Sequence, residues 1–483
     1  MKKGMKISLI IISIFVLIIS IIGSMFIFKL CPPDGPWPTP PWCKNSPSKL
    51  GANNGEIIVS VPYWTQGDVY LGVKDNATYL KLDKIDNVTF EGEVSLKKGT
   101  PYYYSLGTID TKSQNAFTAS GSLKMDAVID WKNSNKEINM NNFQNAVTFG
   151  SMGWNEYRKQ YTDEALDALD NLNIGWIVII PDWFIYPNNN GTEIKPFYGK
   201  DKDFPNPTGW ITPTLTDDEL KYIINKANAK GIKIILKPHV DPINFGMEEN
   251  SNRVNLHPDN WDDWFENYQK FILHYANLAQ EENIDVLVVG TELDSSIWED
   301  SNSEAHWRKI IAKVREVYSG KLTYSLGCYN NNCNLPSQIK FWDNLDYIGL
   351  EPYFGVTNVN NPTIKEIKTS FDTNFKKYAK PLYEKYNKPI LLTEVNIYSY
   401  DGANKDPIAP VSPNAKADHQ EQAEYYEALF QSIEDKNWIQ GVYLWSWYLD
   451  AVTQKYDKQD VGDSFFNKPA GQVIRKWYGK IEE

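Results

Sequence analysis

Four short apolar runs decide how this chain folds: Lys233-Ile-Ile-Leu-Lys237, Val286-Leu-Val-Val-Gly290, Tyr347-Ile-Gly-Leu350 and Ile390-Leu-Leu-Thr-Glu394. They read as strands, and amphipathic helical stretches lie among them: Thr216 to Ala229, Trp261 to Glu282, Ser303 to Tyr318 and His419 to Ile433. Thr216-Asp-Asp-Glu219 has the form of a capping box, in which hydroxyl and carboxylate satisfy reciprocal backbone donors at a helix start. Working outward, Ala146 to Phe149, Trp176 to Ile180, Leu322 to Ser325 and Gly441 to Trp445 bring the strand candidates to eight over residues 145–480. Strands alternating with helices signal parallel β/α repeats, and eight of them predict an α/β fold, a (β/α)8 TIM barrel. A doubly wound open sheet is the alternative, but no glycine-rich turn follows the first strand.

In such a barrel the chemistry sits where the strands end. Those ends are polar: Asp182-Trp183, Lys237-Pro-His239-Val-Asp241, Thr291-Glu292, Glu351-Pro-Tyr353, Thr393-Glu394 and Trp445-Ser-Trp447. Strand side chains alternate, so Val286, Val288 and Glu292 share a parity, as do Ile390, Leu392 and Glu394, and both glutamates are expected at the barrel mouth. Paired carboxylates in an aromatic-walled cleft suit glycoside hydrolysis, one protonating the leaving oxygen and one attacking or activating water. Asp182, Asp241, Glu292, Glu351 and Glu394 all qualify by position, and a salt bridge or helix cap is the plainer role for any one of them. His239 suits a metal ligand, a proton shuttle or a hydroxyl-binding group. Neither metal nor cofactor is expected, because the five histidines are scattered without ligand spacing. A serine hydrolase is unsupported in the absence of a Gly-x-Ser-x-Gly elbow.

The chain has 483 residues, 42% of them hydrophobic and 23% charged, and a formal charge of −12, which excludes a wholly disordered protein and disfavours nucleic acid as a partner. Aromatic residues reach 14%, consistent with a sugar ligand or with an aromatic-rich core. Residues 1–6 carry Lys2, Lys3 and Lys6, and an uncharged apolar run of about 22 residues follows over 7–28, long enough to span a bilayer. An uncleaved single-pass anchor with the rest of the chain outside the cell membrane is expected; a cleaved signal peptide is the rival, but bulky Met25 to Phe28 replace small residues. Residues 29–54 read as a proline-rich stalk, and the local pairs Cys31/Cys43 and Cys328/Cys333 as disulfides of an oxidising compartment. Over 55–133, short alternating runs separated by Gly, Asn and Asp predict an all-β sandwich.

VPYWTQGDVYLGV, the later YYYSLG and the closing VIDW resemble immunoglobulin-like carbohydrate-binding modules of the starch-binding type, which implies exposed sugar-binding aromatics such as Trp64 and Tyr70; a ligand-free spacer is the alternative. Over nearly all of 145–480 the chain resembles glycoside hydrolase family 113, the clan A β-mannanases. The resemblance rests on WNEYRKQYTDEALDALDNLNIGWIVIIPDWF, ITPTLTDDEL, ILKPHVDP, VVGTEL, FWDNLDYIGLEPYF, PILLTEVNIYS and GVYLWSWY. It implies a retaining double displacement on a polysaccharide or oligosaccharide, with Glu292 as acid/base and Glu394 as nucleophile. It further implies that Tyr353 contacts Glu394, that Trp445 floors the bound sugar, and that Lys237, His239 and Asp241 hold hydroxyls; Trp183 is expected on the aromatic wall. Two segments depart from the family pattern, Gly327 to Cys333 and Glu351-Pro352, and both fall on the rim that shapes subsites.

Overall fold

The computed structural model describes residues 143–150, 156–186, 191–199, 211–243, 252–329, 333–453 and 457–479, together with strands between residues 54 and 131. Eight strands close into a barrel: β1 (Gln144–Gly150), β2 (Trp176–Ile179), β3 (Lys233–Leu236), β4 (Val286–Thr291), β5 (Lys321–Gly327), β6 (Ile348–Glu351), β7 (Ile390–Val395) and β8 (Ile439–Tyr448). All the pairings are parallel, in chain order, and β8 returns to β1. Around them run α1 (Tyr161–Asp170), α2 (Asp217–Ala229), α3 (Trp261–Glu281), α4 (Ser303–Val317), α5 (Ile364–Asn374), α6 (His419–Ile433) and α7 (Pro469–Tyr478). The capping box opens α2 as expected: Thr216 Oγ accepts from the Glu219 amide at 3.3 Å, and Glu219 Oε2 accepts from the Thr216 amide at 3.0 Å.

Alternation along the strands builds two cores. Ala146, Val178, Ile235, Val286, Val288, Leu391 and Tyr443 fill the barrel interior. Their neighbours Val147, Ile177, Ile234, Leu236, Leu287, Val289, Ile390 and Leu392 join the larger cluster under the helices. One step further along the strands the inward positions become polar: Lys237 after β3, Ser325 on β5, Glu351 on β6 and Thr393 on β7, each with no exposure at all. A charge buried so completely must be paired. The pairing register shifts at three carboxyl ends, one of them where β8 meets β1 between Leu444 and Trp447. The β4–β5 register shifts between Val288 and Thr291, and the β7–β8 register shifts between Leu392 and Val395. Past the β4–β5 shift Gly290 faces the helices, where a Cβ would run into the rings of Tyr324 and Trp307. A small sheet of Asp182–Tyr186, Glu193–Lys195 and His239–Pro242 extends β2 and β3 beyond the barrel.

Between residues 54 and 131 the strands form a four-stranded sheet and a three-stranded sheet, with antiparallel pairing where Asn54–Ser60 meets Val128–Trp131 and where Val69–Val73 meets Asn76–Lys81 and Tyr102–Leu106. The described residues of this stretch that lie in regular elements are all in β-strands. No helix among the described residues is long and apolar enough to cross a membrane. The anchor expected over 7–28, the Cys31/Cys43 pair and Trp64 lie outside the described residues.

Candidate active site

The buried polar layer holds the nucleophile candidate. Lys237 Nζ donates to Glu351 Oε1 at 2.9 Å, to Glu394 Oε1, and more weakly to the Thr393 carbonyl at 3.4 Å. The other oxygen of Glu394 accepts from the Tyr353 hydroxyl at 2.6 Å. Glu351 Oε1 also accepts from Ser325 Oγ, which lies 2.6 Å from Thr393 Oγ1. Glu394 is thus held at both oxygens, which fixes the direction its lone pairs present to the cleft.

A second constellation holds the acid candidate. Arg253 clasps Asp241 side-on through one guanidinium edge, Nε to Oδ1 at 2.9 Å and Nη2 to Oδ2, and Nη1 reaches Glu292 Oε2 at 3.2 Å. The arginine comes from a single-turn helix, Arg253–Asn255, capped by Asn252, whose Oδ1 accepts from the Val254 and Asn255 amides at 3.1 Å. Sequence reading missed it, because a short turn in a long loop has no periodicity to read. One signal was available: arginine is scarce, at 5 of the 49 basic residues, leaving 49 − 5 = 44 lysines. An arginine where lysine is the rule points to the bidentate geometry that only a guanidinium supplies. Glu292 itself has φ of 51°. That left-handed backbone is uncommon outside glycine and asparagine, and here it turns the side chain off the end of β4.

The electrostatics separate the two glutamates. Burial, followed by the charges of Glu351 and Glu394, holds the Glu292 carboxyl well above the usual carboxylate range, against the pull of Arg253 and Lys237. Burial and Glu351 also raise Glu394, but Lys237 and Tyr353 bind its charged form and counter the rise. Glu351 is lowered despite burial, because Lys237 and Ser325 stabilise its anion. Its Oε2 has no hydrogen-bond partner among the described residues. Lys237 stays charged: burial opposes its ammonium, and Glu351 and Glu394 more than offset that.

His239 lies 3.7 Å from Asp182 (Nδ1 to Oδ1), is 4% exposed, and has no partner for Nε2 among the described residues. Burial, then Arg253 and Lys237, push its pKa well below 6.5, so it is a neutral imidazole suited to a hydroxyl. Burial and Asp241 push Asp182 up to about 7. Asp182, His239 and Asp241 bring potential ligand atoms within 4.8 Å of one another, but Arg253 already engages both oxygens of Asp241, so a cation there would have to displace the guanidinium. In a second such group, Asp401, Asp418 and Glu421, two members serve the backbone: Glu421 accepts from the Gly402 and Asn404 amides, and Asp418 caps α6.

The aromatic positions divide. The Tyr353 ring stacks on Tyr329 with centroids 5.9 Å apart. Tyr329 belongs to the loop that the Cys328–Cys333 disulfide closes, the bond expected from the spacing. Trp445 is half-buried on β8, and its peptide bond to Ser446 is cis. Trp183 lies elsewhere: its indole rests on Phe271, His274 and Tyr275 of α3, with centroids 5.3 to 6.1 Å away, whereas its neighbour Asp182 joins the His239 cluster.

The family model described as Glycoside Hydrolase Family 113 matches residues 147–468. A solved structure described as a complex of a GH113 beta-1,4-mannanase is similar at 25% identity, covering 70% of this chain and 98% of that one, with a TM-score of 0.54. The GH113 beta-mannanase of Alicyclobacillus acidocaldarius shares the fold at 24% identity, covering 70% and 97%, with a TM-score of 0.55. Among curated proteins the comparison found no match.

Proposed function

The chain belongs to Glycoside Hydrolase Family 113, and from that premise we propose that it is a retaining hydrolase of β-1,4-mannan or its oligosaccharides, with Glu394 as nucleophile and Glu292 as acid/base. The observation that carries this reading is the contrast between the two carboxyls: Glu394 is held at both oxygens by Lys237 and Tyr353, and Glu292 is buried facing two anions. In the first step Glu394 attacks the anomeric carbon while Glu292 protonates the leaving oxygen. Glu292 becomes an anion as it does so, and Arg253 Nη1 is already in place to bind that anion. In the second step Glu292 takes a proton from water, which attacks the same carbon and releases Glu394. His239, Asp241 and Asp182 supply hydrogen-bonding groups for sugar hydroxyls, and Trp445 supplies an apolar face for a pyranose ring. The 25% identity with a beta-1,4-mannanase supports mannan as the glycan.

The test is product analysis by proton NMR during cleavage of β-1,4-mannohexaose, beside cello-, xylo- and β-1,3-gluco-oligosaccharides. Manno-oligosaccharides are expected to be cleaved fastest, with new reducing ends appearing first as the β anomer. Initial release of the α anomer would sink retention, and faster cleavage of another series would sink mannan specificity.

The N-terminal readings complete the proposal. The uncharged run over 7–28 supports a single-pass anchor that holds the enzyme outside the membrane, with the β-unit over 55–133 assisting polysaccharide binding. The full chain should sediment with membranes and resist extraction by high salt, whereas the fragment from Gly51 onward should remain in solution. Release of the full chain by salt alone would contradict an anchor.

A further inference from the structure

We propose that Glu351, which lies outside the mechanistic pair, shares Lys237 with the nucleophile as a standing counter-anion, and that its charge sets the pH range over which Glu292 serves as acid. The proposal rests on the assignment of Glu292 and Glu394 above.

The geometry supplies the argument. Lys237 is wholly buried, and its described anionic partners are Glu351 and Glu394. In the glycosyl-enzyme Glu394 is an ester and carries no charge. Without Glu351 the ammonium would then face no carboxylate, a buried uncompensated cation at the moment the second step begins. With Glu351, itself wholly buried and tied by Ser325, Lys237 keeps an anionic partner through both steps.

The same arrangement decides what Glu292 experiences. In the free enzyme Glu351, Glu394 and Lys237 sum to one net negative charge, −1 − 1 + 1 = −1, which favours the protonated acid. In the glycosyl-enzyme Glu351 and Lys237 sum to zero, which favours the carboxylate that must act as base. If Glu351 were neutral, the two sums would be zero and +1, and the acid would lose its proton at lower pH before the first step. The other charged or titratable groups around the cluster are Arg253, paired with Asp241 and near Asp182 and His239; Tyr353, bonded to Glu394; and Asp294, which feels Glu351. None of them bridges Lys237, so none can take the place of Glu351.

The experiment compares kcat/KM against pH for the wild type, Glu351→Gln and Glu351→Asp on β-1,4-mannohexaose, with circular dichroism to verify folding. The basic limb reports loss of the proton from Glu292 in the free enzyme. It should move down by about one pH unit or more in Glu351→Gln, as expected for loss of a like charge close by, and should stay near the wild-type position in Glu351→Asp, where charge is kept. An unmoved limb in a folded Glu351→Gln protein, or an equal shift in the aspartate variant, would overturn the proposal, since a purely structural role lowers the rate at every pH. Should Glu351→Gln not fold, Lys237→Met provides the opposite sign: its limb must rise, and a limb that stays or falls is equally fatal. Azide rescue of Glu292→Ala tests the underlying assignment separately. Rescue together with an unmoved limb means that the roles stand and Glu351 does not act as proposed; failed rescue means that the roles themselves are wrong.

Discussion

Replacing Glu394 by alanine is expected to abolish turnover on every substrate, activated aryl glycosides included, and to leave only the uncatalysed background. The carboxylate forms the covalent bond to the anomeric carbon, and no neighbour can reach that position: Glu351 is locked against Lys237 and Ser325, and Asp241 against Arg253. Leaving-group activation therefore cannot help, because the missing group is the attacking one. The measurement is steady-state hydrolysis of mannohexaose and of an aryl β-mannoside. Activity on the aryl substrate within tenfold of the wild type would remove Glu394 from its role.

Glu292→Ala should behave differently. Natural substrates should lose on the order of 10²- to 10⁴-fold in kcat, the usual contribution of a positioned proton donor. A dinitrophenyl glycoside leaves without protonation, so the first step should survive and the glycosyl-enzyme should accumulate, visible as a burst of phenol followed by slow release. Azide should then restore turnover, since a small anion attacks the intermediate without a base, and the product should be the β-glycosyl azide. An α-azide from this variant, or rescue of the Glu394 variant giving the β product, would reverse the roles. Arg253 adds a detail to the same experiment. With Glu292 gone its Nη1 loses a carboxylate while the clasp on Asp241 remains, so the vacated space stays positively charged and suits an incoming anion.

The barrel was legible because its evidence is local: each buried strand and each amphipathic helix announces itself within a dozen residues. The polar strand ends were legible for the same reason, and Glu292, Glu394, Lys237, Tyr353, His239 and Asp241 do gather in one region. The facing of Glu394 was harder than counting suggested. Ile390 and Leu392 pack under the helices and Leu391 points inward, so strict alternation would have sent Glu394 outward with them. The register shift at the end of β7 brings it to the mouth instead, whereas Glu292 shares the parity of the inward Val286 and Val288 and reaches the mouth as counted, even though the register shifts and the backbone turns before it. Such irregularities depend on how neighbouring strands meet, which no single strand encodes. Arg253 was hidden for a related reason: it meets Glu292 across 39 residues of chain, from a loop. Trp183 illustrates the converse, a strand-end aromatic whose parity hands it to a helix while its neighbour Asp182 takes the cleft.

Gly290 has a consequence for how this enzyme can change. Its missing side chain is the room in which the Tyr324 and Trp307 rings sit, and two residues later the chain turns to present Glu292. The aim of the proton donor is thereby coupled to packing between β4, β5 and α4, well away from any sugar. Core substitutions chosen to raise heat tolerance in that region would act as activity mutations, and a library that protects only cleft-lining positions would leave the catalytic geometry open to drift. Among homologues that diverge in this layer, rate and melting temperature should therefore vary together rather than independently.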